Sequence, residues 1–466
     1  MATVLFPQGL TREAREYAVK ELARRSGVSR EFFATWKLEV ESDQTVVTLS
    51  PEANTKVLFP HARAETLRNI AAGSFPFAEA SWPRLLENDL LQQPLCVPFV
   101  VQRHERALPL FLRREEGPFL CSHDLLLSLL CTLSRVEEMV PGARDEHGRF
   151  LASASVAVQR GFLERPIVDE YGLAFEQVIS ALLPSWKPER PHFRVKLTHD
   201  IDNVGIPFLA RTAIAHTLKR KKPFATLRAA ASLFSSTEPA ELSLVRVLAG
   251  ISKARGLHSA FYWKGCRTTP RDSGYDPFHP KVQRVIAHLK EQGFELGVHP
   301  GYETYGSRTA LREEVDRLRK ALSVQAVGGR QHYLRWSPQT WLDWESCGVA
   351  YDATVGFADF IGFRAGTAFP FRPWSFSENR EMNLVEVPLV VMDCTPVKYM
   401  GLSREEGLAR IRNCIHRTAL VGGVFTLLWH NVPLMEPEYD GWYEAILDLL
   451  PAGKNFGFPP SAQLLW

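Results

Sequence analysis

Between about Arg194 and Asn431, short apolar runs alternate with helical patterns, and this alternation constrains the fold more than any other feature. Strand candidates are 194–200, 258–263, 294–299, 326–332, 349–354, 384–392 and 424–430. The intervening helices have clear signatures. Val282, Val285, Ile286 and Leu289 fall at i, i+3, i+4 and i+7, with Gly293 as the stop. Leu311, Val315, Leu318 and Leu322 repeat the stripe, and Ser403 with Glu406 reads as a capping box for a helix running to about Leu420. Strand-then-helix units imply parallel strands joined by right-handed crossovers. The fold class is therefore α/β. A closed or nearly closed seven-stranded (β/α) barrel is the preferred architecture, with an open doubly wound sheet as the alternative.

At 466 residues the chain is too long for one ordinary domain. Leu183 to Pro191 carries three prolines in nine residues and reads as a linker. It divides the chain into a smaller mixed α/β part, 1–185, and a larger part, 192–466. In the first part, Thr11 is a plausible cap for a helix to Arg25, with Gly27 beyond it. Val40–Leu49 is strand-like, and 123–139 is a strongly apolar helix. Asp145 to Arg149 reads as a structural or solvated turn. No nucleophile constellation or phosphate loop occurs before the linker, so its expected role is recognition or scaffolding.

A net charge of +3 from 55 basic and 52 acidic residues gives no bulk attraction to nucleic acid. The short basic run Lys219–Lys222 reads as a solvated helix end. The seven cysteines are scattered without a CxxC pair, so reduced thiols are expected rather than a disulfide framework or a zinc knuckle. There is neither a signal-peptide pattern nor an apolar run long enough to span a membrane, and a cytoplasmic location is expected.

In parallel α/β folds, chemistry gathers at the C-terminal strand ends. Here those ends read Thr198-His-Asp-Ile-Asp202, His299-Pro300, Gly329-Arg-Gln-His-Tyr-Leu-Arg335, Tyr351-Asp352 and Leu428-Trp-His-Asn431. A single His or Asp at a strand end is usually structural. Five such ends on one rim are costly to desolvate unless metal or substrate compensates. Asp200 and Asp202 are two apart and face one side of an extended strand. A bound cation relieves their repulsion, so one carboxylate can ligate while the other takes a proton from the attacking water.

Together these motifs are similar to the polysaccharide deacetylase family, and most closely to a bacterial subgroup whose first motif reads His-Asp-x-Asp. The Gly362-Phe-Arg-Ala-Gly366 loop resembles that subgroup too. The stretches 133–138, 145–150 and 165–169 resemble an uncharacterised domain often fused in front of it. The resemblance implies a distorted seven-stranded barrel. By motif, it implies Asp200 as catalytic base, Arg330 as the arginine orienting it, Asp352 as a supporting carboxylate and His430 as general acid. Asp202 and His299 match metal ligands. The family's second histidine is replaced by Glu303, so either His332, favoured as the end of a neighbouring strand, or Glu303 is the third ligand, or the site is weak or metal-free. Tyr302, Arg335, Phe363, Arg364 and Trp429 are candidate substrate contacts, Arg364 because flanking glycines let backbone close on a ligand, with a structural ion pair as the equal alternative for it. Trp336, Trp341, Trp344 and Trp374 could form a sugar platform, although Trp341 and Trp344 fall at helical spacing and read as core.

The implied function is metal-dependent hydrolysis of an acetyl group, N-acetyl favoured, on a saccharide or saccharide-linked intermediate of surface-polysaccharide synthesis. Zinc is the expected ion, with cobalt or nickel as substitutes. The alternatives are a saccharide-binding protein that kept the fold without the chemistry, and a metal-free carboxylate glycoside hydrolase.

Overall fold

The computed structural model describes residues 9–50, 55–83, 93–101, 107–113, 117–206 and 238–451. The basic run Lys219–Lys222 and the end of the 192–466 part lie outside the described residues.

The second part is built on one parallel sheet. Its strands are β1 (Arg194–Ile201), β2 (Ser259–Trp263), β3 (Glu295–Val298), β4 (Gly328–Gly329), β5 (Tyr351–Asp352), β6 (Val385–Glu386), β7 (Val391–Met392) and β8 (Val424–Leu428). They are ordered β6-β5-β4-β3-β2-β1-β8-β7, and every pairing is parallel. The two edge strands, β6 and β7, are consecutive pieces of a single segment. In that segment the Val387 and Leu389 amides donate to the Asp352 and Val355 carbonyls, while the Val390 amide donates to the Thr426 carbonyl. The sheet thus curls until both edges meet in one stretch of chain. This differs from the expected count of seven. The apolar run 384–392 reads as one strand, but it changes partner from β5 to β8 midway and so forms two.

The fourth strand is also shorter than the expected 326–332. A Cβ on Gly328 would lie 1.9 Å from the Tyr351 ring, and one on Gly329 would lie 2.0 Å from the Val298 carbonyl. The two glycines therefore let β4 press between β3 and β5. The chain leaves the sheet just after them, where Arg330 to Arg335 form a short turn over the strand ends.

The helices outside the sheet follow the apolar stripes. Pro280–Glu291 buries Val282, Val285, Ile286 and Leu289, and Arg308–Leu322 buries Leu311, Val315, Leu318 and Leu322. Arg404–Val421 begins with the Ser403/Glu406 capping box. All seven cysteines are free thiols. No helix among the described residues is long and apolar enough to cross a membrane.

The first part has a five-stranded sheet ordered Lys37–Val40, Gln44–Ser50, Thr55–Pro60, Phe119–Cys121, Phe111–Arg113. Helix Arg12–Arg25, capped by Thr11, packs against Ile167–Leu182 and Leu125–Leu133. The approach is close enough that a Cβ on Gly172 would meet Arg25 at 2.5 Å. The apolar helix is shorter than 123–139 because Asp124 caps it at Leu127 and Arg135 turns left-handed beyond it. One hydrophobic cluster takes in side chains from both sides of the 183–191 segment, among them Tyr17, Phe175, Phe369 and Trp374. The two parts thus share a core. Trp336, Trp341, Trp344 and Trp374 are all buried in that core and form no exposed platform.

Candidate active site

Alternation along β1 sets the site. Asp200 and Asp202 share one side of the strand, as the spacing requires. His199 faces the other way and is a satisfied structural histidine. Its Nδ1 lies 2.8 Å from the Trp429 carbonyl and its Nε2 3.1 Å from Ser259 Oγ, and burial lowers its pKa to about 4.

Asp200 is buried and accepts from Arg330 Nη1 at 2.9 Å. Arg330 is fixed in turn by its Nε, which donates to the Ala353 carbonyl at 2.8 Å. Asp352 lies beneath this pair, fully buried. It accepts from the Thr354 amide and hydroxyl, and burial raises its pKa to about 7.

Asp202, His299 and His332 offer ligand atoms within 4.8 Å of one another. Asp202 Oδ1 lies 3.2 Å from His299 Nε2 and 3.4 Å from His332 Nε2. Each histidine is oriented through its other nitrogen. His299 Nδ1 lies 2.8 Å from the Arg330 carbonyl, and His332 Nδ1 lies 2.7 Å from Asp272 Oδ1. Both arrangements fix the tautomer that presents Nε2, as metal-ligating histidines require. Glu303 is exposed and does not join the group, because the turn after His299 carries it outward to solvent. Of the two alternatives for the third position, the fold brings His332 to the cluster and leaves Glu303 outside.

His430 reaches the same point from β8. Its Nδ1 lies 3.0 Å from both oxygens of buried Asp393, and its amide donates to Asp393 Oδ2 at 2.6 Å. Its Nε2 faces Asp202 Oδ2 at 3.7 Å. Burial alone would lower its pKa, but the carboxylates around it, Asp393 first and then Asp202 and Asp200, together outweigh burial and raise it to about 9.

The remaining substrate-contact candidates separate. Tyr302 stays at the rim, its hydroxyl 3.4 Å from His147 Nδ1. Arg335 braces that rim rather than reaching into it. Its guanidinium lies over Tyr302 and Tyr305 and donates to the Tyr302 and His147 carbonyls. Arg364 does not contact the site and takes the ion-pair alternative. It is buried against Glu138, its Nη1 donates to the Gly356 carbonyl, and it stacks on Phe357 and Trp336, so no donor is turned to the site. Phe363 and Trp429 are likewise core residues, 1 % exposed, with Trp429 packed on Tyr439 and Tyr443.

Four residues at the site escaped the sequence reading. Lys264 directly follows β2 and Asp393 directly follows β7, so both carry the same strand-end signal as the other site residues. Asp272 lies in an irregular loop without a local signal. His147 belongs to the Asp145–Arg149 turn, which reaches the rim. Its ring lies 4.6 Å from that of Tyr333, and Arg149 Nη1 donates to the Tyr333 carbonyl. That bond helps hold Tyr333 and Leu334 at φ of +61° and +53°. Left-handed backbone is costly for such residues and is maintained only where surroundings impose it. The first part therefore helps shape the turn that presents His332.

Residues 16–184 match a family model described as a family of unknown function, DUF7033. No curated protein matches the chain. Among solved structures, it is similar to a protein assigned as a polysaccharide deacetylase from Mycobacterium smegmatis, with 16 % identity, a TM-score of 0.40, and coverage of 58 % of this chain and 87 % of that one. It is also similar to a protein from Bordetella bronchiseptica assigned as a polysaccharide deacetylase involved in O-antigen biosynthesis, with 16 % identity, a TM-score of 0.29, and coverage of 56 % and 87 %. A third is a mutant CE4 family pseudoenzyme with restored activity, with 9 % identity, a TM-score of 0.29, and coverage of 55 % and 62 %.

Proposed function

We propose that this chain is a metal-dependent hydrolase that removes an acetyl group, N-acetyl favoured, from a saccharide. The observation that carries the reading is the convergence, at one set of strand ends, of an ion-ready triad, an arginine-held carboxylate and an aspartate-backed histidine. The strand-end motifs supply the saccharide assignment by their resemblance to polysaccharide deacetylases.

The residues fit a divalent ion. His299 Nε2 is buried and receives no proton donor among the described residues, and a carboxylate with two imidazoles is a donor set suited to zinc, cobalt or nickel. Held by Asp202, His299 and His332, such an ion would supply Lewis-acid polarisation of the acetyl carbonyl. Asp200, kept in place by Arg330, takes the proton of the attacking water. His430, held protonated by Asp393, delivers a proton from Nε2 to the departing nitrogen, because an amine leaves poorly as an anion. Tyr302, Tyr333 and His147 form the aromatic rim on which a pyranose face could rest. On this reading residues 1–185 are a scaffold that also contributes to that rim.

The test is acetate release from N-acetylated sugars by protein loaded with zinc or cobalt, alongside its metal content. Stoichiometric metal with acetate release is expected. Glycosidic cleavage without acetate would replace this reading by the carboxylate hydrolase. Sugar binding with neither metal nor acetate would replace it by a saccharide-binding protein. One observation favours that last reading: a lysine stands within the triad.

A further inference from the structure

Lys264 is almost wholly buried, and its ammonium is surrounded by the residues assigned above to the ion. Nζ lies 2.9 Å from Asp202 Oδ1, 2.9 Å from His332 Nε2 and 3.2 Å from Asp272 Oδ1. A lysine ammonium has three protons and accepts nothing, so three surrounding acceptors match its chemistry. Those acceptors are two of the three proposed ligands and the carboxylate that orients His332. The third ligand atom, His299 Nε2, receives no proton donor among the described residues and faces Asp202 Oδ1 at 3.2 Å. Two cations cannot share these acceptors in a buried site without strong repulsion.

We infer that Lys264 is the resident cation of this site: its ammonium neutralises Asp202 and Asp272 when no ion is held and withdraws from Asp202 and His332 when one binds, so that it sets how tightly the protein keeps a metal. The inference rests on the metal reading above. Asp272 gives the displaced ammonium a place to stay. Its Oδ2 is anchored by the Tyr302 amide at 2.9 Å, so the carboxylate remains fixed whichever cation occupies the triad. The arrangement also explains how a carboxylate pair and two imidazoles can be packed together before any ion arrives. An unfilled ligand set of this kind would otherwise leave buried charge uncompensated.

The experiment needs no substrate. Wild type, Lys264→Met and Lys264→Gln are stripped with chelator and titrated with cobalt(II) against a competing chelator, read by the visible absorption of bound cobalt. Both variants should hold cobalt at least roughly tenfold more tightly than wild type, the expected result of removing a like charge beside the ion. Stripped variants should melt below stripped wild type, with cobalt narrowing the gap. Equal or weaker cobalt binding by the variants would overturn the inference and leave the metal reading standing. Absence of binding in all three would overturn both. Should the variants not fold, wild type alone decides. Labelling of Lys264 by an amine-acylating reagent, read by mass spectrometry, should increase with saturating cobalt, and unchanged protection would overturn the displacement.

Discussion

At the junction between the two parts, Glu138 sits buried between Arg135 Nε at 2.8 Å and Arg364 Nε at 2.9 Å, while Glu137 accepts from Arg135, Ser155 Oγ and the Val156 amide. At the strand ends, Asp200, Asp202, His299, Arg330 and Asp352 are also packed together, yet His299 Nε2, Arg330 Nη2 and Asp352 Oδ2 have no hydrogen-bond partner among the described residues, and Asp202 Oδ1 is met by the Lys264 ammonium and two imidazoles. Both clusters are rich in charge. The first pairs its charges within the protein, and the second leaves polar atoms, donor and acceptor alike, without partners. Buried polar groups without partners are expensive, so a cluster that keeps several is arranged for something that arrives later. Titratable residues alone do not mark a site. The unfilled hydrogen-bonding capacity does.

The sharpest way to break this contrast is at the base. Asp200→Asn should lower turnover by roughly two to four orders of magnitude while the fold and the metal content persist. Steady-state turnover and metal analysis on the same preparation check it, and a fully active variant would remove Asp200 from the chemistry. The junction should respond in the opposite way. Arg364→Ala leaves Glu138 with a buried charge that Arg135 only half compensates, and should cost about 3–5 kcal/mol of stability by denaturant unfolding. KM should stay the same at temperatures where the variant is folded. A change in KM without loss of stability would return Arg364 to the substrate.

The Asp393–His430 pair lies between these extremes, since it is structurally paired and also faces the cluster. A histidine pKa raised to about 9 means that the stabilisation from this pair is complete below the ordinary histidine value and is lost as pH rises through about 9. The same titration removes the acid, so kcat/KM should fall on the alkaline side near that pH. Asp393→Asn should move this alkaline limb down towards the ordinary histidine range. A limb that stays in place would show that another group donates the proton. The smallest effect belongs to Glu303. Exposed and outside the triad, it should tolerate Glu303→Ala with a stability change within about 0.5 kcal/mol and no loss of metal. Loss of bound metal in that variant would place Glu303 among the ligands after all.

Much of this site could be read in the sequence wherever chemistry coincided with strand periodicity. Asp200, Asp202, His299, Arg330 and His430 end strands whose apolar runs are plain, so their convergence followed from parallel topology. For Arg364 the glycine neighbours leave a ligand contact and a structural ion pair equally open, and the residue that decides for the ion pair, Glu138, lies 226 positions away. His147 reads as part of a structural turn for a similar reason, since nothing near it in sequence shows that this turn meets Tyr302 and Tyr333.

The sequence alone determined the alternation of strands and helices, the caps and stops of the helices, and the shared face of Asp200 and Asp202. Each of these depends on residues a few positions apart, and backbone geometry turns such spacing directly into direction. Only the tertiary structure decided that 384–392 divides between two neighbours, that His332 rather than Glu303 meets Asp202, and that Lys264 stands among the ligands. Those outcomes depend on which distant segments are pressed together once the sheet has curled. Packing and charge compensation act across that space, and local periodicity carries no record of them.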